Sequence, residues 1–292
     1  MLNKIRSELL NFGLKFISID EKIVRMILET SPSNINELVI LPAIKPVMKK
    51  IINKMKNKAS HGRVYNGLLN GIQVSVIRSH IGAPNTAMIV ECLRRSKAKI
   101  IIRVDVCGGI STSEAKVNIG DILIPKLAYC DDGTSPHYLR SFPSLINQCK
   151  FVPNPLANSE TPISGNTTVF KALPNRDLVD LILGDAFAKY GNRIKEIDLW
   201  TMDALFCETV EFVQAIRELN VSGIDMESSI LFLLGTLYNL KTVSILSVSD
   251  LPGDSNYDLL QSNQIHPNME KGIDDSIQLL FNTLPKMINL LN

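Results

Sequence analysis

The chain of 292 residues is short of several things at once. It has four histidines, His61, His80, His137 and His266, and no spacing among them builds a metal site. Its five cysteines, Cys92, Cys107, Cys130, Cys149 and Cys207, are odd in number and never stand as C-x-x-C. That pattern speaks against a disulfide framework or a zinc knuckle and predicts a reduced, cytoplasmic protein with no metal. No apolar run reaches the roughly 18 residues of a membrane span. The densest stretch, Ile230 to Leu240, is broken by Gly235, Thr236 and Asn239 and reads as a buried core helix. The amino terminus, MLNKIRSELLNFGLKF, spaces apolar residues helically between charges and lacks the unbroken apolar segment of a signal peptide. Excess charge of one sign is missing too. Thirty-one Lys and Arg stand against 29 Asp and Glu, so neither a nucleic acid nor a membrane surface is the expected partner, and small molecules or other protein chains are.

The composition, 45% hydrophobic and 21% charged, is that of a globular chain with a sizeable core. Short β-branched runs supply the strands: Leu38 to Leu41, Ile72 to Ile77, Ile100 to Val106, Ile122 to Ile124 and Thr242 to Val248. Amphipathic stretches lie between them, such as Asn85 to Lys97, where Pro84 precedes a capping Asn85 and Met88, Cys92 and Leu93 share a face. This alternation predicts an α/β fold, a mainly parallel sheet with helices on both sides. Residues 1–30 read as an appended pair of helices and 31–292 as a single domain. Gln278 to Leu291 reads as a terminal helix covering the sheet, and about 131–175, rich in Pro, Asn, Ser and Thr, as a long loop insertion serving as a lid or a mobile segment.

In such sheets ligands bind at the carboxyl ends of strands, and three strand ends carry polar residues that a core does not need. In Ile100 to Gly109, Arg103 must meet an anion or a carboxylate, since an unpaired buried charge is costly; Asp105 on the same strand face is one candidate partner and a ligand the other. Gly108 and Gly109 permit a tight turn and a close approach to a ligand. In Gly223 to Ser229, Glu227 stands at a helix start, either as a cap or as the acceptor of two neighbouring sugar hydroxyls. In Ser247 to Asp254, Asp250 at a strand mouth is either a general acid or the start of an Asx turn before Pro252 and Gly253.

The ordered set Ile77-Arg-Ser-His-Ile-Gly-Ala-Pro-Asn-Thr-Ala87, Ile102-Arg-Val-Asp-Val-Cys-Gly-Gly109, Val117-Asn-Ile-Gly-Asp-Ile-Leu-Ile124, Asp132-Gly-Thr-Ser-Pro-His-Tyr138, Asp225-Met-Glu-Ser228 and Ser249-Asp250 resembles the nucleoside phosphorylase superfamily, in particular uridine phosphorylases, as a divergent member. The resemblance covers about Glu37 to Leu280. It implies a three-layer αβα fold and a pentosyltransferase of nucleoside salvage that cleaves an N-glycosidic bond with inorganic phosphate as co-substrate and no cofactor. It also implies a homo-oligomer, a dimer or a hexamer. Met226 and Glu227 would then hold the ribose, Arg103 phosphate, and Phe206 the base, while Asp250 would protonate a purine leaving group.

Several family positions differ, and most of them belong to phosphate. The Gly-Asp-Pro-x-Arg loop reads Ala43-Ile-Lys-Pro-Val47, and the Gly-Thr pair after the buried arginine reads Asp105-Val106. The arginine expected from a second subunit aligns with Ser60, with Arg63 and Lys45 as possible substitutes by reach. The uracil-recognising Gln and Arg fall near Thr209 and Glu211, which argues against uridine. His80 replaces a glycine and reads as filling space, an anion contact being the alternative. Three functions stay open: a phosphorylase, a nucleosidase with Asp105 as the base on water, and a non-catalytic nucleoside-binding relative.

Overall fold

A computed structural model describes residues 17–157 and 167–291. Its strands are β1 (Leu38–Ile40), β2 (Lys56–His61), β3 (Val64–Leu69), β4 (Ile72–Ile77), β5 (Ile100–Gly109), β6 (Ile122–Asp131), β7 (Lys150–Pro153), β8 (Thr168–Ala172), β9 (Ile194–Met202), β10 (Val221–Asp225) and β11 (Lys241–Asp250). Its helices are α1 (Ile19–Leu28), α2 (Lys45–Lys54), α3 (Ala83–Leu93), α4 (Ser135–Ser141), α5 (Arg176–Tyr190), α6 (Val210–Arg217), α7 (Ser228–Tyr238) and α8 (Pro267–Met287).

All the strands join one mixed sheet. Its longest pairings are parallel, β5 with β11 and β6 with β9, and the hairpins β2–β3, β3–β4 and β7–β8 are antiparallel. The centre closes on itself: β5 pairs β11, β11 pairs β6, β6 pairs β9, β9 pairs β10, and β10 returns to β5. Closure depends on Gly108 and Gly109. A Cβ on Gly108 would lie 2.7 Å from both Ile224 Cγ2 and Pro252 Cγ, and one on Gly109 would lie 2.6 Å from Val248 Cγ1. The pair therefore lets three strands approach within the sheet rather than making the tight turn that the sequence suggested.

Period-two alternation sorts each strand's side chains into two cores. Val39, Ile101 and Leu246 face α1, α3 and α7, whereas Leu38, Ile40, Ile100, Ile102 and Val104 face α2, α5 and α8. The outcome is the expected α/β architecture, helices on both faces of a mixed sheet. Among the described helices none is long and apolar enough to cross a membrane.

Three local expectations are corrected, and one falls partly outside the described residues. Helix α3 ends at Leu93, its N-cap is Gly82 at φ +101°, Asn85 instead donates its side-chain amide to Ile81 O, and Met88 is exposed. The stretch 131–175 holds α4, a 3-10 turn at Pro143–Gln148 and the β7–β8 hairpin, because Asp132 gathers the Thr134 and Ser135 N–H groups and the Ser135 and Ser229 hydroxyls around a buried carboxylate. Of the amino-terminal helix pair, α1 is present and the remainder lies outside the described residues. The terminal helix starts well before Gln278, at Pro267, where the His266 side chain accepts from the Asn268 N–H.

Two glycines on helices separate backbone propensity from packing. Gly272 of α8 lies against the loop before β6, where an added Cβ would meet Gly120 Cα at 2.6 Å, whereas Gly184 of α5 has nothing within 4 Å. In urea denaturation, Gly272→Ala is expected to lose about 1–3 kcal/mol through overpacking. Gly184→Ala is expected to gain up to about 1 kcal/mol through helix propensity.

Candidate active site

Arg103 is the largest charged side chain of the core, 2% exposed, near the middle of β5. Its Nη2 bonds Glu227 Oε2 and lies 3.8 Å from Asp105 Oδ2, while its Nη1 lies 3.1 Å from Asp225 Oδ2. The partner is therefore neither Asp105 alone nor a ligand alone. Three buried carboxylates surround one guanidinium, and each is tied to a different element.

Asp225 ends β10. Its Oδ2 accepts the Ser228 N–H at 3.0 Å and its Oδ1 accepts the Thr201 hydroxyl at 2.6 Å. Asp225 thus provides the cap of α7 that the sequence offered to Glu227. Glu227 makes no capping bond; its Oε1 accepts the Gly82 N–H at 2.8 Å, joining the start of α3 to the Arg103 cluster. Asp105 accepts the N–H groups of Ala43 and Val106.

Burial pushes the Asp105 and Glu227 carboxyls above their ordinary range, opposed by the positive charge of Arg103 and by these N–H groups. The guanidinium itself is held protonated: its burial disfavours the charge, and the three carboxylates outweigh that effect.

Above this cluster lies a cleft with ≈ 660 Å³ of empty space, part of it open to solvent. It is lined by Ala43, Ile44, Ile81, Asp105 and Glu227, by Leu205, Glu208, Ser249, Asp250 and Leu259, and by Met226, Cys107 and Gly108. These residues follow the carboxyl ends of β1, β4, β5, β9, β10 and β11, where the fold class directs ligands.

Asp250 sits at the mouth of β11, and the Ser249 hydroxyl donates to it. Burial raises its carboxyl to about 6, against the lowering effect of that bond. It does not begin the Asx turn, which Asp254 makes by accepting the Asn256 and Tyr257 N–H groups.

Of the residues expected from the sequence, Arg103, Asp105, Met226, Glu227 and Asp250 come together in this cleft. Phe206 does not. It is 85% exposed, and its neighbour Leu205 faces the cavity instead, because the 3-10 turn Leu205–Cys207 directs one side chain inward and the next outward. Thr209 caps α6, and Glu211 is exposed on its first turn.

Asp225 stood in the Asp225-Met-Glu-Ser228 motif without a role of its own, and Glu208 was not anticipated, since it carries no pattern around it. Burial, then the charges of Asp250 and Asp258, push the Glu208 carboxyl up to about 8. The folded chain therefore binds more protons than the unfolded chain between the ordinary carboxyl range and about 8, and stability falls as pH rises through that window. Scanning calorimetry against pH is expected to show Tm declining on this account. Glu208→Gln should flatten the part between about 6 and about 8, and an unchanged slope there would refute the assignment.

The sequence profile of the Phosphorylase superfamily matches residues 37–284. The uridine phosphorylase of Haemophilus influenzae is 26% identical over 187 residues, 62% of this chain and 66% of that protein, just under two thirds of its length. A DeoD-type purine nucleoside phosphorylase of Bacillus cereus is 24% identical over 217 residues, 73% of this chain and 80% of that one. In fold the chain is similar to uridine phosphorylase from Vibrio fischeri, with a TM-score of 0.65 at 21% identity over 87% of this chain and 93% of the other. It is also similar to AMP nucleosidase from Bacteroides thetaiotaomicron, with a TM-score of 0.64 at 17% identity over 93% and 96%. With a match across most of its length and an acid-lined cleft at the strand ends, this chain belongs to the phosphorylase superfamily.

Proposed function

We propose that the cleft breaks the N-glycosidic bond of a nucleoside and that water, rather than phosphate, receives the sugar. The observation that carries this reading is the position of Asp105. Its carboxylate takes the Ala43 N–H and stands beside Arg103, so the chain's own anion satisfies the donors that an incoming anion would need. Five acids line the cleft, Asp105, Glu208, Asp225, Glu227 and Asp250, and Arg103 is the single base among its lining residues. Two negative charges 4 Å apart repel by roughly 4 kcal/mol at a protein surface, so a phosphate dianion faces a steep electrostatic cost here.

The chemistry then divides along the cleft. Both Glu227 oxygens already accept one bond each, and each retains a lone pair for a sugar hydroxyl. The bond from C1′ to the base nitrogen breaks as the base leaves toward Asp250. Asp250, whose carboxyl titrates near about 6, supplies the proton that the leaving nitrogen takes up. Water attacks C1′ from the Asp105 side and gives its proton to that carboxylate, yielding free sugar and free base. An oxocarbenium-like transition state is stabilised by the surrounding carboxylates, whose negative charge suits developing positive charge on the ring.

Phosphorolysis is the second reading, supported by the names of the relatives. It requires phosphate to displace Asp105 from the Ala43 N–H.

Base release from a panel of purine and pyrimidine nucleosides separates the two. Release in phosphate-free buffer, unaccelerated by added phosphate, is expected. Asp105→Asn and Asp250→Asn should each lower kcat by about 100-fold or more, with the fold intact by circular dichroism. Strict dependence on phosphate would replace the hydrolytic reading by the phosphorolytic one, and no release in either buffer would sink both.

A further inference from the structure

Five acids line the cleft against one base, and four of the five are already engaged. Asp105 accepts the Ala43 and Val106 N–H groups, and Asp225 the Ser228 N–H and the Thr201 hydroxyl. Glu227 takes the Gly82 N–H and Arg103, and Asp250 the Ser249 hydroxyl. Glu208 is the exception: its side chain forms no hydrogen bond and no ion pair among the described residues. The lining cation cannot serve it, because Arg103 is bonded to Glu227 and stands against Asp225 and Asp105. Arg78, which follows β4 and donates its Nε to Ala43 O at 2.9 Å, is not among the residues that face the cavity.

The backbone holds Glu208 in this place. It follows the 3-10 turn Leu205–Cys207 and precedes Thr209, whose hydroxyl accepts the Phe212 N–H at 3.2 Å and caps α6. The loop after β11 closes on the same helix, since a Cβ on Gly253 would lie 3.8 Å from Val213 Cγ1. Asp258 fixes that loop by accepting the Gly253 N–H at 2.8 Å, the Leu260 N–H at 2.7 Å and the Gln261 side-chain amide at 2.9 Å. Leu205 and Leu259 thereby reach the cavity from the segment that carries Glu208 and from the one that follows Asp250. A planar ring with a positive charge suits both features. Apolar side chains cover its faces, and an unpaired carboxylate gains a counter-charge that burial otherwise denies it.

We infer that Glu208 makes the cleft selective for nucleosides whose base is a cation, a pyridinium-type ring joined to C1′ through its quaternary nitrogen. This rests on the reading that the cleft breaks an N-glycosidic bond. In such a substrate the electron pair of the C1′–N bond returns to the ring nitrogen, so the base leaves neutral and takes up no proton. Water adds to C1′ and its proton passes to Asp105. The positive charge moves during the reaction from the base to the sugar. Glu208 therefore favours the bound substrate over the transition state, and its effect falls on KM. Burial, then the charges of Asp250 and Asp258, raise its carboxyl to about 8; the other titratable groups lining the cleft are Arg103, Asp105, Cys107, Asp225 and Glu227. A bound cation displaces that proton, so affinity for the cation rises with pH up to about 8.

Calorimetric titration of the full chain at low ionic strength compares 1-methylnicotinamide, a cation, with nicotinamide, the same ring without the charge. Above about pH 8 the cation is expected to bind at least about tenfold more tightly, and to lose this advantage as pH falls toward about 6. Glu208→Gln removes a group whose ionisation opposes the folded state, so the fold is retained; the advantage of the cation is expected to vanish in it at every pH. The same variant is expected to raise KM for nicotinamide riboside about tenfold, the change falling in KM rather than kcat. A methylated ring bound no more tightly than nicotinamide, or an advantage unmoved by Glu208→Gln, would overturn the inference. The two ring ligands bind without reacting, and base release from neutral nucleosides reports separately on cleavage, so the failure of either reading is told from the failure of the other.

Discussion

A single positive charge that cannot leave the protein interior organises this molecule. Arg103 is held in the sheet by Glu227, Asp225 and Asp105, and each carboxylate reaches a different part of the fold: the start of α3 through Gly82, the caps of α7 and β9 through Ser228 and Thr201, and the loop after β1 through Ala43. Desolvating an ion costs several kcal/mol, so a buried guanidinium is tolerated only where such bonds converge on it. The same network that satisfies Arg103 therefore fixes the relative positions of five elements and builds the floor of the cleft. Replacing any one carboxylate would disturb both the packing and the site.

The stoichiometry of that network also decides its chemistry. Three carboxylates share one guanidinium, and burial raises two of them above their ordinary range, so the cluster carries an excess of negative charge that protons partly relieve. A site whose floor is an arginine open to solvent attracts anions. Here the arginine is already surrounded by the chain's own carboxylates, so its charge is spent inside the fold. An anion entering beside Arg103 would have to compete with Asp105, a carboxylate held by the fold on the Ala43 N–H.

Much of this was legible in the sequence because burial leaves a strong imprint. Strands β1, β4, β5 and β11 are covered on both faces, so their residues read as continuous apolar runs, and a charge placed within them, Arg103, or at their mouths, Asp250, stands out against that background. Elements with one face in water left no such trace. Strand β2, Lys56–His61, is exposed along its whole length, and β9 mixes Lys195, Glu196 and Asp198 with its buried residues, so neither resembles a core strand. Asp225 was overlooked because its cap role is local and its bond to Arg103 spans the sheet. Arg78 was legible by the rule that found Arg103, a cation abutting an apolar strand, but at a strand end such a charge also reads as ordinary solvation. Only the fold reveals that it is pinned to Ala43 O.

The contrast between the two arginines is the deeper point. Arg103 lies inside, with every nearby carboxylate directed at it, and so serves as structure and as electrostatic background. Arg78 lies at the rim, tied to a neutral carbonyl that fixes its position without consuming its charge. A carbonyl tether orients a guanidinium and leaves its attraction for an anion intact, whereas a carboxylate tether cancels it. Two residues of one type are thus used in opposite ways: the charge of Arg103 is spent on holding the sheet and the cleft floor together, and that of Arg78 is left without a carboxylate partner among the described residues.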